Sequence, residues 1–301
     1  MWRAVTRELL GALFRPSRLA FDNLPPGDDG LRGHGLRIAA AACALALLSS
    51  PGGSEPRPDR FDTVVLDAGH GGENPGARGA GGLLEKDLVL DVTLRLAKRL
   101  EARGIGVVLT RRDDRFVSLE ERTSIANDAR GDLFISIHAN ASRATDARGI
   151  ETFFVSLEAS DEAAQRIANL ENQAFSGSEG AAKIAEDPLL GILGDLIATE
   201  HLVESQEFSR LVQGRLASSR SRGVKQAPFV VLMGVQMPAA LVEIGFLTNP
   251  AEERNLLSSA ERDRLADGLA AAAVEFAERY DARRGAAETR SDSRGGRLGA
   301  Q

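Results

Sequence analysis

Residues 63–72, TVVLDAGHGG, constrain the fold of this chain more than any other segment. An apolar run from Val64 to Leu66 ends in an acidic residue, and a glycine–histidine–glycine turn with His70 at its tip follows. A short apolar run bounded by glycines predicts a buried strand. Because the loop leaving such a strand can face a cleft instead of the core, the segment predicts both a strand and a candidate site residue, His70.

The segments after this one predict a single α/β domain over residues 61–282. Apolar runs predict further strands at 106–110, 133–137, 149–155, 229–232 and 240–244. Apolar residues spaced four apart, together with capping signals, predict helices at 87–103, at 118–129, from Pro250 and from Ser258 to about Tyr280. Strands that alternate with helices favour a mostly parallel mixed sheet covered by helices on both faces.

Residues 156–218 interrupt this alternation and predict a helical insertion. Two helices are expected, at 158–175 and 188–218, with a polar loop between them. The insertion separates two predicted strands, so it either packs at an edge of the sheet or covers the cleft.

The two ends of the chain differ from the domain in composition. The uncharged apolar run 38–48 is short for a membrane span but matches the hydrophobic region of a secretory signal. Residues 1–50 are therefore expected to be a signal peptide or an uncleaved anchor, with a buried core helix as the alternative, and 51–60 a linker. Residues 283–301 have little to bury and predict a disordered tail. We expect a periplasmic or exported protein that contacts a membrane only through its N-terminal segment, if uncleaved.

Charge and cysteine content exclude some classes of site. The net charge of −6 gives no reason to expect a nucleic-acid partner. One cysteine, Cys43, allows neither an intrachain disulfide nor a cysteine-based zinc site, so a metal site must use His, Asp and Glu. The histidines are His34, His70, His138 and His201. His34 is assigned no role, and His201 most simply lies on a solvated helix face.

Four polar side chains mark a candidate site. His70 and His138 each follow a strand, Glu85 lies at a loop–helix boundary, and Glu243 lies inside the apolar segment LVEIGF. Parallel strands place their carboxyl ends on one side of a sheet, and two imidazoles with one carboxylate are a catalytic type of zinc site. Taken singly, the histidines could be structural and Glu85 a helix-start residue. A carboxylate within an apolar strand is costly, which favours a functional role for Glu243.

The segments VVLDAGHGGENPGARG, LLEKD, SIHAN and LVEIGFLTNPAEERNLL resemble the N-acetylmuramoyl-L-alanine amidase family, the zinc peptidoglycan amidases of the amidase 3 type. TRRDDRFVSLEERTSIAN resembles the family's segment between the two histidines. The resemblance implies that His70, Glu85 and His138 bind one Zn²⁺, although such ligands could also hold Mn²⁺ or Fe²⁺. It implies that Glu243 is the general base in hydrolysis of the amide between the lactyl group of N-acetylmuramic acid and L-alanine in peptidoglycan.

The resemblance also suggests a form of control. Some relatives use a helix of a long insertion to plug the cleft, with an acidic side chain on the zinc, until a partner removes it. We therefore hypothesise that an insertion acid blocks the zinc here and that a divisome-associated activator releases it during daughter-cell separation. The candidate acids are Glu162, Glu171, Glu186, Glu200 and Glu204.

Two further points stay open at this stage. Asp67, close to His70 in sequence, is a candidate to orient an imidazole through its free N–H. The alternative functions are another zinc hydrolase of wall peptides, such as a carboxypeptidase, and a non-catalytic wall-binding regulator.

Overall fold

Six strands form one sheet in the computed structural model, which describes residues 60–175, 188–216 and 221–295. The strands are β1 (Thr63–Ala68), β2 (Gly106–Leu109), β3 (Leu133–Asn140), β4 (Ile150–Val155), β5 (Ser221–Ala227) and β6 (Ala239–Phe246). They are ordered β2-β1-β3-β6-β4-β5. The first four in this order are mutually parallel, whereas β4 runs antiparallel to β6 and parallel to β5. The predicted fold class, a mostly parallel mixed sheet, is confirmed.

Helices cover both faces of the sheet, as predicted. They are α1 (Glu85–Glu101), α2 (Leu119–Asp128), α3 (Glu162–Phe175), α4 (Pro188–Leu216), α5 (Val230–Met233), α6 (Pro250–Leu256) and α7 (Ser259–Gly295). Two expected helix starts are confirmed. Ser118 accepts a hydrogen bond from the amide of Glu121, and Asn249 caps α6 ahead of Pro250.

Two apolar cores lie on opposite faces because side chains alternate along each strand. One core packs Leu66, Ile135 and Val242 against α1, α4 and α7. The other packs Val65, Phe134 and Leu241 against α2, α3 and α5. The second face is the one that carries the candidate site.

One predicted strand is wrong and another was missed. Of the residues predicted as a strand at 229–232, Phe229 is the N-cap of the short helix α5 and the other three lie in it, with Val231 and Leu232 buried in the second core. A short apolar run does not distinguish a strand from a buried helical turn. The missed strand, β5, is the polar edge segment SRGVKQA, and it is a strand because its backbone pairs with β4.

The insertion is more deeply integrated than an edge cover. The C-terminal half of α4 enters the first core, where Phe208 and Val212 are fully buried. Ser205 accepts a hydrogen bond from the amide of Ala239 in β6, and Gln213 donates to the carbonyl of Ile150 in β4. Excising residues 156–218 would therefore remove part of the core.

The last helix continues past its predicted end near Tyr280. The helix α7 runs to Gly295 and so extends into the segment 283–301 that was predicted as a tail. Arg283 anchors the extension through an ion pair with Glu207 of α4 at 2.6 Å. Residues 1–59 and 296–301, and with them the predicted signal, the linker to residue 59, His34 and Cys43, lie outside the described residues. No helix in the described ranges has the length and apolar character needed to cross a membrane.

Candidate metal centre

The turn after β1 brings two imidazoles together. His70 adopts a left-handed backbone conformation, with φ of 59°, and Gly71 follows at 122°. A Cβ at Gly69 would overlap the ring of His138, so a glycine there lets the ring centroids of His70 and His138 approach to 5.0 Å. The His70 Nδ1 atom lies 3.1 Å from the Asn74 side-chain oxygen, which turns His70 Nε2 toward His138.

Glu85, the first residue of α1, lies between these two rings. Its Oε1 atom is 3.0 Å from His70 Nε2 and 3.0 Å from His138 Nδ1. The same oxygen accepts a hydrogen bond from the amide of Ala139, and Oε2 accepts one from the amide of Ala77. The buried carboxylate is thus held in place by backbone donors from the loop before α1 and from β3.

A fourth donor comes from the insertion. The Oε2 atom of Glu171 in α3 lies 3.2 Å from His70 Nε2 and 3.1 Å from His138 Nδ1. Ligand atoms of His70, Glu85, His138 and Glu171 all lie within 4.8 Å of one another. Zinc bonds to nitrogen and oxygen of about 2.0–2.2 Å in a tetrahedron separate neighbouring donors by roughly 3.3 Å. The residues therefore fit a single small divalent cation in both spacing and chemistry.

The imidazoles and carboxylates of the cluster shift one another's pKa values. Burial favours neutral imidazoles, yet the charges of Glu85 and Glu171 raise the pKa of His70 to about 9 and that of His138 well above its ordinary value. Burial likewise opposes ionisation of Glu85, but the two imidazoles hold the pKa of its carboxyl well below the usual range. Both cluster carboxylates are therefore charged at neutral pH, whereas the two imidazoles must lose a proton when they bind a metal.

Glu243 lies beside the cluster on the next strand. It is paired in register with His138 across β3 and β6 and is fully buried. Neither of its carboxyl oxygens has a hydrogen-bond partner among the residues described. Burial, followed by the negative charge of Glu171, raises its pKa well above the ordinary value. Such a carboxyl can hold or release a proton next to the four donors.

Asp67 does not orient an imidazole, contrary to the hypothesis from sequence. Its carboxylate accepts hydrogen bonds from Arg122 at 2.6 Å, from Thr110 and from Ser136. Arg122 also donates to the carbonyl of His70 at 2.7 Å, so Asp67 supports the histidine turn through this arginine. The residue facing His70 Nδ1 is Asn74, which was not singled out although it lies within the segment that resembles the family.

Among the five candidate acids of the insertion, Glu171 is the one described in the cluster. Glu162 is 96% exposed and faces Arg166, and Glu204 pairs with His201 and Arg283. The side chains of Glu186 and Glu200 lie outside the described residues. The sequence identified five candidate acids, and the packing of α3 determines that Glu171 is the one beside the histidines.

Fold and cluster together define an α/β protein with a buried His/Glu metal-type centre at the carboxyl edge of its sheet. Comparison with protein families matches residues 64–275 to the N-acetylmuramoyl-L-alanine amidase family. The chain therefore belongs to this family of hydrolases, and the resemblance seen in its motifs is confirmed.

Individual relatives agree with this assignment. The chain is 34% identical to the amidase AmiC of Neisseria meningitidis, over 75% of this chain and 55% of that protein. It is 34% identical to the amidase AmiA of Escherichia coli, over 78% of this chain and 84% of that protein. Among solved structures, an N-acetylmuramoyl-L-alanine amidase from Clostridium difficile matches with a TM-score of 0.55 and 29% identity, over 73% of this chain and 98% of that one.

Proposed function

We propose that this chain is a zinc-dependent N-acetylmuramoyl-L-alanine amidase that its own Glu171 holds inactive. The observation that carries the proposal is the convergence of His70, Glu85, His138 and Glu171 within 4.8 Å, beside the buried Glu243. The substrate is the amide between the muramic lactyl group and L-alanine of peptidoglycan. An exported location, reached through the N-terminal segment, follows from this substrate.

The reaction divides its tasks among the site residues. His70, Glu85 and His138 would hold the zinc, which when bound lowers the pKa of a water molecule and polarises a carbonyl. Glu243 takes a proton from the attacking water and later delivers it to the leaving amine of alanine. Its raised pKa supports this role, because a buried carboxyl gains a proton readily. Asn74 and Arg122 keep His70 oriented.

The same geometry supports self-inhibition. A catalytic zinc site has three protein ligands and one open position, whereas a fourth protein ligand closes it. Glu171 supplies that fourth donor, and its negative charge also helps to keep Glu243 protonated. Two hydrogen bonds join Asn172, the next residue, to Pro228 and Val230, so α3 is docked as a unit. Activation requires a partner that draws α3 away, and we infer a divisome-associated activator acting in daughter-cell separation.

Release of stem peptides from purified peptidoglycan by the zinc-loaded full chain tests both parts. Glu171→Gln keeps the side-chain shape but removes the charge, and we expect activity to rise by about tenfold or more. Glu162→Gln, on the exposed side of the same helix, is the matched control and should change nothing. Adding Glu243→Gln to Glu171→Gln should abolish activity.

The products separate the proposal from its alternatives. An amidase liberates a peptide with a new N-terminal alanine, whereas a carboxypeptidase liberates a C-terminal amino acid. If the Glu171→Gln chain binds zinc and the wall but releases neither product, a non-catalytic wall-binding role replaces the proposal. Equal activity of the unaltered chain and Glu171→Gln would exclude self-inhibition alone.

A further inference from the structure

A cavity lies beside the candidate metal centre on the same face of the sheet. It has a volume of about 750 Å³ and lies between α3 and the ends of the central strands. Asn140, two residues after His138, and Phe246, three residues after Glu243, line one side. Ile167 and Leu170, next to or one turn from Glu171, line the other. The mechanism proposed above does not use this cavity.

The cavity wall holds an oriented arginine. The Nε atom of Arg222 donates to Glu151 Oε1 at 2.8 Å, and its guanidinium carbon lies 5.1 Å from the centre of the Phe246 ring. Glu151 is fully buried, also pairs with Lys225 at 3.0 Å, and lies across from Glu243 in the β4–β6 register. Within the described part of the chain, the two terminal nitrogens of Arg222 make no hydrogen bond, and the side chain is 37% exposed. These nitrogens are the donors left for a ligand.

The charge of the lining favours an anion. Arg143 and Arg166 line the cavity together with Arg222, and the one lining carboxylate, Glu151, is already paired with two cations. A planar guanidinium held by its Nε atom and stacked on a ring presents a fork that matches a carboxylate. The lining therefore selects a carboxylate over a neutral amide.

We propose that this cavity binds a carboxylate on the peptide side of the scissile amide, and that Arg222 is the residue that recognises it. The inference rests on the proposed amidase function, and it uses the wall formed by the strands, with Asn140, Arg222 and Phe246, because α3 is drawn away in the active chain. The lactyl carboxyl forms the scissile amide and therefore carries no charge. A carboxylate of the substrate near this bond must lie on the peptide side. Neighbouring strands lie about 4.8 Å apart and a peptide advances at most about 3.6 Å per residue. His138 on β3 and Glu151 on β4 are two strand spacings apart, about 10 Å, which a side-chain carboxylate one or two residues beyond the alanine can cover.

Binding of two peptides to the zinc-loaded full chain tests the proposal without relying on turnover. Calorimetry would compare two peptides blocked as the γ-methylamide: L-alanyl-D-glutamate, which keeps its α-carboxylate, and L-alanyl-D-isoglutamine, in which that group is a neutral amide. We expect the Kd of the acidic peptide to be at least about tenfold lower, because its carboxylate can accept charge-assisted hydrogen bonds from Arg222. Arg222→Gln should remove the preference, and Arg222→Lys should retain part of it.

Two further sets of variants keep the result interpretable. Arg254→Gln, at an exposed position outside the cavity, controls for net charge and should preserve the preference. Arg222→Gln leaves Glu151 with one cation fewer, so its thermal unfolding is measured as well. Arg143→Gln alters an exposed lining residue in the loop after β3, and it should weaken the preference by a smaller factor.

Equal affinity for the two peptides, no saturable binding of either, or an equal effect of Arg254→Gln would overturn the proposal. The amidase function fails separately. If the Glu171→Gln chain cleaves wall substrates without regard to charge, the function stands and the subsite falls. If it cleaves none but prefers the acidic peptide through Arg222, a carboxylate site stands and the amidase reaction falls.

Discussion

Asp67 and Glu243 are both buried carboxyls on the strands beneath the metal centre, yet their surroundings give them opposite properties. Burial raises the pKa of both groups, but Asp67 contacts Arg122 at 2.6 Å and accepts a hydrogen bond from Thr110, which together lower its pKa. Glu243 has negative neighbours instead, and its pKa is raised well above the ordinary value. At the residue scale, partners rather than burial separate a structural anion from a proton carrier.

The Asp67–Arg122 pair predicts an acid-dependent stability. Because the folded-state pKa of Asp67 lies below its ordinary value of 3.8, the stabilisation is fully present above that value and disappears as the pH falls through the folded-state pKa. Asp67→Asn should therefore lower the free energy of unfolding by about 3 kcal/mol at neutral pH, since it removes the buried charge that contacts the Arg122 guanidinium. The difference in free energy of unfolding between the variant and the unaltered chain should become smaller below about pH 4.

Urea unfolding at neutral and acid pH measures this effect. Asp146→Asn, at an exposed loop position, is the control. It should change the free energy of unfolding by less than about 0.5 kcal/mol at both pH values. A difference for Asp67→Asn that is as large in acid as at neutral pH would contradict the assignment of charge to this residue.

At the scale of elements, the short helix α6 fixes two loops around the site. Glu253 accepts hydrogen bonds from the amides of Gly81 and Leu83, at 2.7 to 3.1 Å, in the loop that enters α1 just before Glu85. The adjacent Glu252 accepts hydrogen bonds from the amides of Gly149 and Phe246, in the chain around β4 and β6. One helix thus holds the loop that leads into Glu85, a candidate metal ligand, and also the chain at the start of β4 and the end of β6.

This arrangement predicts that the two glutamates differ in their effect on metal binding. Glu253→Ala and Glu252→Ala should each cost about 2–3 kcal/mol of stability, because each leaves two amides without an acceptor. Glu253→Ala should in addition weaken zinc affinity by roughly tenfold, since it frees the loop that positions Glu85. Glu252→Ala should leave zinc affinity nearly unchanged. Competition with a fluorescent chelator measures the affinity, and equal losses in both variants would refute a positioning role for Glu253.

At the scale of the whole molecule, the candidate metal centre joins parts of the chain that are distant in sequence. Its donors come from the turn after β1, the start of α1, the strand β3 and the insertion helix α3. A cation that binds the folded state and not the unfolded state stabilises the fold. The stabilisation grows with the logarithm of the ratio of free cation concentration to Kd. The centre should therefore contribute to global stability as well as to chemistry.

Metal removal should lower the melting temperature of the full chain. At free zinc a thousandfold above Kd the stabilisation is about 4 kcal/mol, which for a domain of this size corresponds to on the order of 10 °C. Scanning calorimetry before and after chelation measures the shift, and added zinc should restore it. His138→Ala should melt at the chelated temperature or below and not respond to zinc. A zinc response that survives in this variant would place the cation elsewhere.

Local sequence patterns determined much of this molecule, because strand periodicity and helix capping act within a few residues. The buried run of β1, the Ser118 cap and the Asn249–Pro250 start were readable for that reason. Family motifs likewise identified the candidate residues His70, Glu85, His138 and Glu243, which the structure brings together. The motifs carry that information because each ligand lies beside a recognisable strand or turn.

Tertiary structure decided what depends on partners remote in sequence. The polar segment β5 is a strand because its backbone pairs with β4. The apolar run of α5 is helical because of its packing in the second core, which its local sequence pattern does not indicate. Glu171 is one of five acids in its insertion, and the docking of α3 alone brings its carboxylate to the histidines. Which side chain completes a site is a property of packing between elements, and packing energies are not encoded in the periodicity of any one of them.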